Sequence, residues 1–141
     1  MFFPLWSPIW CYSYIPDMPE FTLKDAQWAY SCLEVTAKHV GGCLIYSTPG
    51  KYHYFHRTTK PGGVYVGENA HRLALMIKLG TVDVPESLEA SHLCHEPACV
   101  KLAHLEAEPK ELNDQRKTCN EEKCCMGHLP APVVILANYF Q

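Results

Sequence analysis

Cys94, Cys99 and His104 follow one another with four residues between each successive pair. Further along, Cys119, Cys124, Cys125 and His128 repeat the mixture of thiol and imidazole. Residues of these types at such intervals are ligands for zinc, which takes four nitrogen or sulfur donors in a tetrahedron. When protein fills all four positions no place is left for water, so the metal is structural rather than catalytic. Eight cysteines in 141 residues also fit a disulfide framework, but histidine has no part in a disulfide, and the interleaving favours metal.

The first group supplies three donors and needs a fourth. Cys43 is the expected one, because it would pin an early strand to the cysteine-rich stretch, and Cys32 is the second choice. The second group offers Cys119, Cys124, Cys125 and His128. Adjacent cysteines seldom both reach one ion without strain, so either one of Cys124 and Cys125 is spare or this site is irregular. Cys11 falls outside both groups.

With both zinc sites closed, any reaction falls to two other residues in the same stretch: His92, two positions ahead of Cys94, and Asn113. A neutral imidazole can take a proton from water near neutral pH. A side-chain amide oxygen suits Mg²⁺, a hard ion that keeps several waters and takes few protein ligands when phosphate supplies the rest. Together they describe hydrolysis of a phosphodiester, with His92 activating water and a cation at Asn113 stabilising charge on the phosphate and the leaving 3′ oxygen. Taken singly, His92 would be a hydrogen-bonded strand histidine and Asn113 an exposed helix residue.

Several elements must position these groups. Thr22 can cap a helix over Thr22–Lys38, with Asp25 at its third position and a stripe of Ala26, Ala29, Leu33 and Ala37 widened by Trp28, Cys32 and Val35. Gly41 and Gly42 are expected to end it. Short strands follow at Cys43–Ser47, Lys51–Thr58 and Val64–Val66, separated by Thr48-Pro49-Gly50 and Pro61-Gly62-Gly63. Alternation puts Tyr52, Tyr54 and His56 on one face and His53, Phe55 and Arg57 on the other. The more basic face would suit a DNA groove. A second helix is capped by Asn69, lined by Leu73, Met76 and Ile77 and stopped by Gly80, with His71 and Arg72 expected to be solvated on its first turn. Strands at Ser91–Cys94 and Ala103–Glu106 and a helix at Pro109–Lys117 complete the pattern.

Length and composition support a small, zinc-stabilised α+β domain with an antiparallel sheet and few helices. Its 48% hydrophobic content, eleven prolines and eight glycines leave room for a loop-rich core but not for long helices. We expect an N-terminal arm over 1–21, a catalytic domain with the first zinc site over 22–118, and the second cluster with a tail over 119–141. No apolar run approaches the ~20 residues of a spanning helix. The opening MFFPLWSPIW lacks a basic start and is broken by Pro4 and Pro8, unlike a signal peptide. We therefore expect no membrane partner and a nuclear or otherwise intracellular location. The net charge of −3 is unevenly spread: between Val35 and Gly67 there is no acidic residue, while Lys38, Lys51, Arg57 and Lys60 are joined by His39, His53 and His56. Such a local basic surface can bind phosphate on an acidic chain.

The stretch SHLCHEPACVKLAHL, followed by Asn113 and Cys119, resembles the His-Me finger (ββα-metal) nucleases, specifically the His-Cys box branch of homing endonucleases. The likeness is strongest over Ser91–Cys119 and weaker upstream through Asn69–Gly80 and the Gly-Gly-Cys43 segment. It implies His92 as general base, Asn113 as Mg²⁺ ligand, and Cys43, Cys94, Cys99 and His104 at the first zinc. Cys119, one of Cys124 and Cys125, and His128 are implied at the second. It further implies duplex DNA as substrate, a β-sheet in the major groove, and a homodimer with exchanged tails. The family also uses an arginine against the leaving group, for which Arg57 is the first candidate and Arg72 the second. Two departures stand out. Glu96 follows His95 where the family commonly has asparagine, placing an acid near the metal or DNA, and LPAPVV stands where the second zinc site would end in cysteine. The expected activity is a Mg²⁺-dependent DNA endonuclease. The alternative is an inactive zinc-bound module on the same scaffold that binds nucleic acid or protein.

Overall fold

The computed structural model describes residues 20–58, 65–122 and 130–132. All but the last two residues of the expected N-terminal arm, Lys60, and the ligand candidates Cys124, Cys125 and His128 lie outside the described residues. Helix α1 (Leu23–Thr36) is followed by strands β1 (Lys38–Val40), β2 (Cys43–Ile45), β3 (Tyr54–Thr58) and β4 (Tyr65–Asn69). Helix α2 (Ala70–Leu79), strand β5 (Leu88–His92), a 3₁₀ turn (Leu102–His104), strand β6 (Leu105–Pro109) and helix α3 (Lys110–Glu122) complete the order. The class is α+β, as expected, but the strands do not form one sheet. Each consecutive pair, β1–β2, β3–β4 and β5–β6, makes its own antiparallel two-stranded ribbon. Isolated hairpins are marginal in water, so each depends on what covers it.

The start of α1 follows its sequence grammar. Thr22 and Asp25 form a reciprocal capping box, satisfying two backbone donors that a helix start leaves unpaired. Ala26, Ala29, Tyr30 and Leu33 are its buried residues. Val35, expected to widen that stripe, is 84% exposed instead. The helix also stops earlier than expected, with extended backbone at Ala37. Gly41 and Gly42 do not end it: they form the two-residue turn of the β1–β2 hairpin, where Val40 pairs with Cys43. Both glycines have positive φ, 60° and 93°, the conformation that a tight hairpin turn demands at its two central residues.

The main core joins α1 to α2 through Leu33, Leu73, Ala74 and Leu75, and closes on Phe55, Val66, Val100 and Leu105. Gly80 ends α2 in the left-handed conformation, as its position predicted, whereas Asn69 makes no side-chain cap. Tyr30, absent from the expected stripe, donates its hydroxyl to the Val100 carbonyl at 2.8 Å. Burial and the nearby Glu34 push that phenol up to about 12, so it remains a donor. Among the described residues no helix is long and apolar enough to cross a membrane.

The β5–β6 ribbon pairs His92 with Leu105 and Glu89 with Glu108, and α3 lies against both strands. Two polar links hold the helix there. Arg116 forks onto Glu108, with Nε to Oε1 at 2.7 Å and Nη2 to Oε2 at 2.8 Å; both side chains are almost wholly buried. Asn113 donates Nδ2 to Glu89 Oε1 at 2.8 Å. Removing one member of a buried ion pair strands the other charge in the interior. Glu108→Ala should therefore cost about 3–5 kcal/mol, measured by denaturant unfolding. Replacing both Glu108 and Arg116 with apolar residues should recover much of that loss; equal losses in the single and double variants would refute this account.

Candidate metal centre and active site

Strand β2, the loop after β5 and the 3₁₀ turn before β6 bring four metal-binding side chains together. The donor atoms of Cys43, Cys94, Cys99 and His104 all lie within 4.8 Å of one another. His104 Nδ1 is 3.6 Å from Cys43 Sγ and 3.5 Å from Cys99 Sγ. A tetrahedron with ordinary zinc bond lengths places sulfur and nitrogen about 3.6 Å apart. The cluster therefore has the spacing of a zinc site. It is buried throughout and walled by Ile45 and Ala98. Cys43, the expected fourth donor, is part of it; Cys32 instead lines a separate hollow with Arg57 and Tyr46.

The three thiols of the cluster shift one another's protonation. Hydrogen bonds from Cys43 and Cys94 pull the Cys99 thiol down to about 2. Hydrogen bonding to Cys94 and Cys99, with burial, pushes Cys43 far up. For Cys94, the hydrogen bond with Cys43 favours the thiolate, but the one with Cys99 and burial outweigh it, leaving the group at about 12. A dication changes that balance, because coordinated thiols lose their protons outright.

The backbone around the cluster explains why distant residues meet. Val100 N–H donates to Leu44 at 2.8 Å and Tyr46 N–H to Ala98 at 3.0 Å, joining the loop to β2. Glu96 does not reach outward to metal or DNA: it is buried. Its Oε1 accepts from the backbone N–H of Gly50 at 2.6 Å and Ala98 at 3.1 Å. The departure at this position thus serves as an internal brace.

His92 and Asn113 lie in the same region of the structure. His92 is buried, with Nε2 2.9 Å from the Cys99 carbonyl. A carbonyl can only accept, so Nε2 carries the proton and Nδ1 keeps the lone pair. Burial lowers the His92 pKa and keeps the ring neutral, partly opposed by the same hydrogen bond. His92 and Asn113 line one hollow of about 220 Å³ together with Tyr52, His95 and Lys117. An adjoining hollow of about 350 Å³ shares Tyr52, Asn113 and Lys117 and adds His71, Arg72 and Glu89. Because a carboxylate only accepts, the contact with Glu89 assigns nitrogen to that side of the Asn113 amide. Oδ1 is the atom left for a cation. An amide oxygen beside a carboxylate is a donor set that fits a hard dication.

Sequence reasoning placed several neighbours elsewhere. His71 and Arg72 are half-buried rather than solvated. The His71 ring centroid is 5.2 Å from that of His92 and 5.0 Å from that of Tyr52. Burial, then the nearby His92 and Arg72, lower the His71 pKa to about 4, and its Nδ1 is buried without a hydrogen-bond partner. Arg57 lies outside the hollows that His92 and Asn113 line. Arg72 reaches the second of them, though it also donates to the carbonyls of Leu88 and Val84 at 3.4 and 3.3 Å. Lys117, four residues after Asn113, was legible from helical spacing. Glu89 was not, since nothing in the sequence couples it to a residue 24 positions away. Cys119 lies half-buried on α3, and its expected co-ligands fall outside the described residues.

A family model for the zinc-binding loop region of homing endonuclease matches residues 26–132. The chain belongs to this family. The match embraces all four donors of the buried cluster together with His92 and Asn113, so the family assignment and the geometry rest on the same stretch. No curated protein and no solved structure matches the chain.

Structural zinc supplies folding free energy directly, on the order of 10 kcal/mol or more in small domains. Cys43→Ala should therefore lose the zinc of this cluster and unfold at markedly lower temperature, as read by metal analysis and thermal melting. Wild-type-like metal content and melting in that variant would contradict Cys43 as a ligand.

Proposed function

We propose that this homing-endonuclease-like chain is a Mg²⁺-dependent DNA endonuclease of the His-Cys box branch, with His92 as general base and Asn113 as the protein ligand of the catalytic ion. The observation that carries the reading is the hydrogen bond from His92 Nε2 to the Cys99 carbonyl. It leaves Nδ1 with its lone pair on a ring that lines the hollow shared with Asn113.

In this reaction His92 Nδ1 takes a proton from a water molecule. The oxygen of that water attacks phosphorus, and the bond from phosphorus to the 3′ oxygen breaks. Asn113 Oδ1 would hold the Mg²⁺, which would supply Lewis-acid stabilisation of the charge on the phosphate and on the departing 3′ oxygen until that oxygen takes a proton from solvent. Glu89 holds the Asn113 amide in the orientation that presents oxygen to the ion. Lys117 and Arg72 supply positive charge beside a phosphate, with Arg72 better placed than Arg57 for the leaving-group side. The zinc cluster takes no part in the chemistry, because protein fills its four positions. The family resemblance supports duplex DNA as substrate and a homodimer as the working unit. A second zinc at Cys119, one of Cys124 and Cys125, and His128 belongs to the same proposal.

Plasmid nicking in Mg²⁺ provides the test. His92→Ala should lower the rate by roughly 10²–10⁴-fold with zinc content unchanged, and Asn113→Ala should be similarly impaired. Residual activity equal to wild type in His92→Ala would eliminate it as the base, and a wild type that does not cut would instead favour the inactive-module reading. Glu89→Ala should raise the Mg²⁺ concentration needed for half-maximal cleavage; an unchanged metal requirement would show that the amide needs no such support.

A further inference from the structure

Three polar side chains, those of Tyr52, Asn113 and Lys117, line both of the adjoining hollows. Two of them already have roles in the proposed reaction, Asn113 at the cation and Lys117 as positive charge beside the phosphate. Tyr52 has none. It stands two positions ahead of β3, on which Phe55 goes into the core while Tyr54 and His56 are exposed, with Tyr65 exposed across the ribbon. Tyr52 is itself 53% exposed, and a single exposed tyrosine is ordinary. Its surroundings are not.

The position of Tyr52 is set by backbone and by ring packing. The Ala70 N–H donates to the His53 carbonyl at 2.9 Å, which ties this segment to the start of α2, the helix that carries His71 and Arg72. The neighbouring His53 is engaged elsewhere, since its Nε2 donates to the Thr48 carbonyl at 2.7 Å. Tyr52 instead packs against two imidazoles. Its ring centroid is 5.0 Å from that of His71 and 6.0 Å from that of His92, and the two histidines are 5.2 Å from each other. Aromatic pairs at these separations attract beyond their burial, so the triangle holds a phenol beside the proposed base. Arg72 lines the second hollow too, but its guanidinium is held against the carbonyls of Leu88 and Val84. It supplies charge there rather than a directed contact.

We propose that the Tyr52 hydroxyl donates a hydrogen bond to the 3′ oxygen that leaves phosphorus, making Tyr52 a further catalytic residue of this site. The proposal rests on the nuclease reading for its reaction. As the bond from phosphorus to the 3′ oxygen breaks, its electron pair stays on that oxygen and negative charge grows there. A hydrogen bond to a charged oxygen is roughly twice as strong as one to a neutral oxygen. The contact therefore stabilises the transition state more than the bound substrate. No proton leaves Tyr52 in this step: the departing oxygen takes its proton from solvent, and the phenol is unchanged at the end. Because the 3′ oxygen belongs to the backbone, the contact is open to duplex DNA of any sequence.

Plasmid nicking by the full chain in Mg²⁺ tests this by comparing wild type with Tyr52→Phe, which keeps the ring and removes the hydroxyl. The rate at saturating DNA should fall on the order of 10²-fold, with zinc content, melting temperature and affinity for duplex DNA unchanged. A second substrate separates contact with the departing atom from a structural effect: a duplex spanning a site that wild type cuts, with the bridging 3′ oxygen at that site replaced by sulfur. Sulfur is a weak hydrogen-bond acceptor and leaves readily without help, so Tyr52→Phe should lose far less on this substrate than on the oxygen one. Wild-type nicking by a folded Tyr52→Phe, or an equal loss on both substrates, would overturn the contact while leaving His92 and Asn113 in their roles. A wild type that nicks nothing would remove the nuclease reading, and this contact with it.

Discussion

Three thiols and an imidazole converge on one buried point, from β2, from the loop after β5 and from the 3₁₀ turn before β6. The loop they organise has little regular structure and few apolar side chains of its own, so metal coordination replaces the core that such a segment cannot build. Cys99 occupies the central place. Its sulfur belongs to the cluster, its residue bridges to Ile45 of the neighbouring ribbon, and its carbonyl accepts the hydrogen bond that orients His92. Through this one residue the scaffold sets the direction of the proposed base.

The other half of the site depends on the packing of α3. Helix position alone would leave Asn113 free to rotate its amide either way. The Glu89 carboxylate removes that freedom, and the buried Arg116–Glu108 fork fixes the helix against the ribbon that carries both glutamates. Scaffold and site are therefore coupled: the buried charge pair fixes the helix that carries Asn113, and the Cys/His cluster fixes the carbonyl that orients His92, the two proposed reacting groups.

Much of this was legible in the residues. The four-residue intervals in Cys94, Cys99 and His104 announced metal, because ligand type and spacing are local properties. The Thr22–Asp25 capping box and the Gly80 helix stop were readable for the same reason. Gly41 and Gly42 were misassigned as a helix terminus because positive φ serves both a helix end and a hairpin turn, and only the Val40–Cys43 pairing distinguishes them. Val35 was placed in the buried stripe on hydrophobicity, yet its helical angle carries it to solvent. Glu96 looked like an acid near metal or DNA, and its partner, the Gly50 N–H, comes from 46 residues upstream.

The sequence by itself determined the types of the four clustered ligands and the α+β class, and it supplied the two residues proposed for the reaction, since each depends on side-chain chemistry or short-range periodicity. Only the tertiary structure decided that Cys43 rather than Cys32 completes the cluster and that Glu89 orients Asn113. It also placed Arg72 beside the hollow rather than Arg57 and turned the aromatic face of the β3–β4 ribbon outward. Those outcomes depend on which distant surfaces become buried together. Phe55 and Val66 go into the core because their burial removes apolar surface from water, and strand alternation then leaves Tyr54, His56 and Tyr65 on the outside.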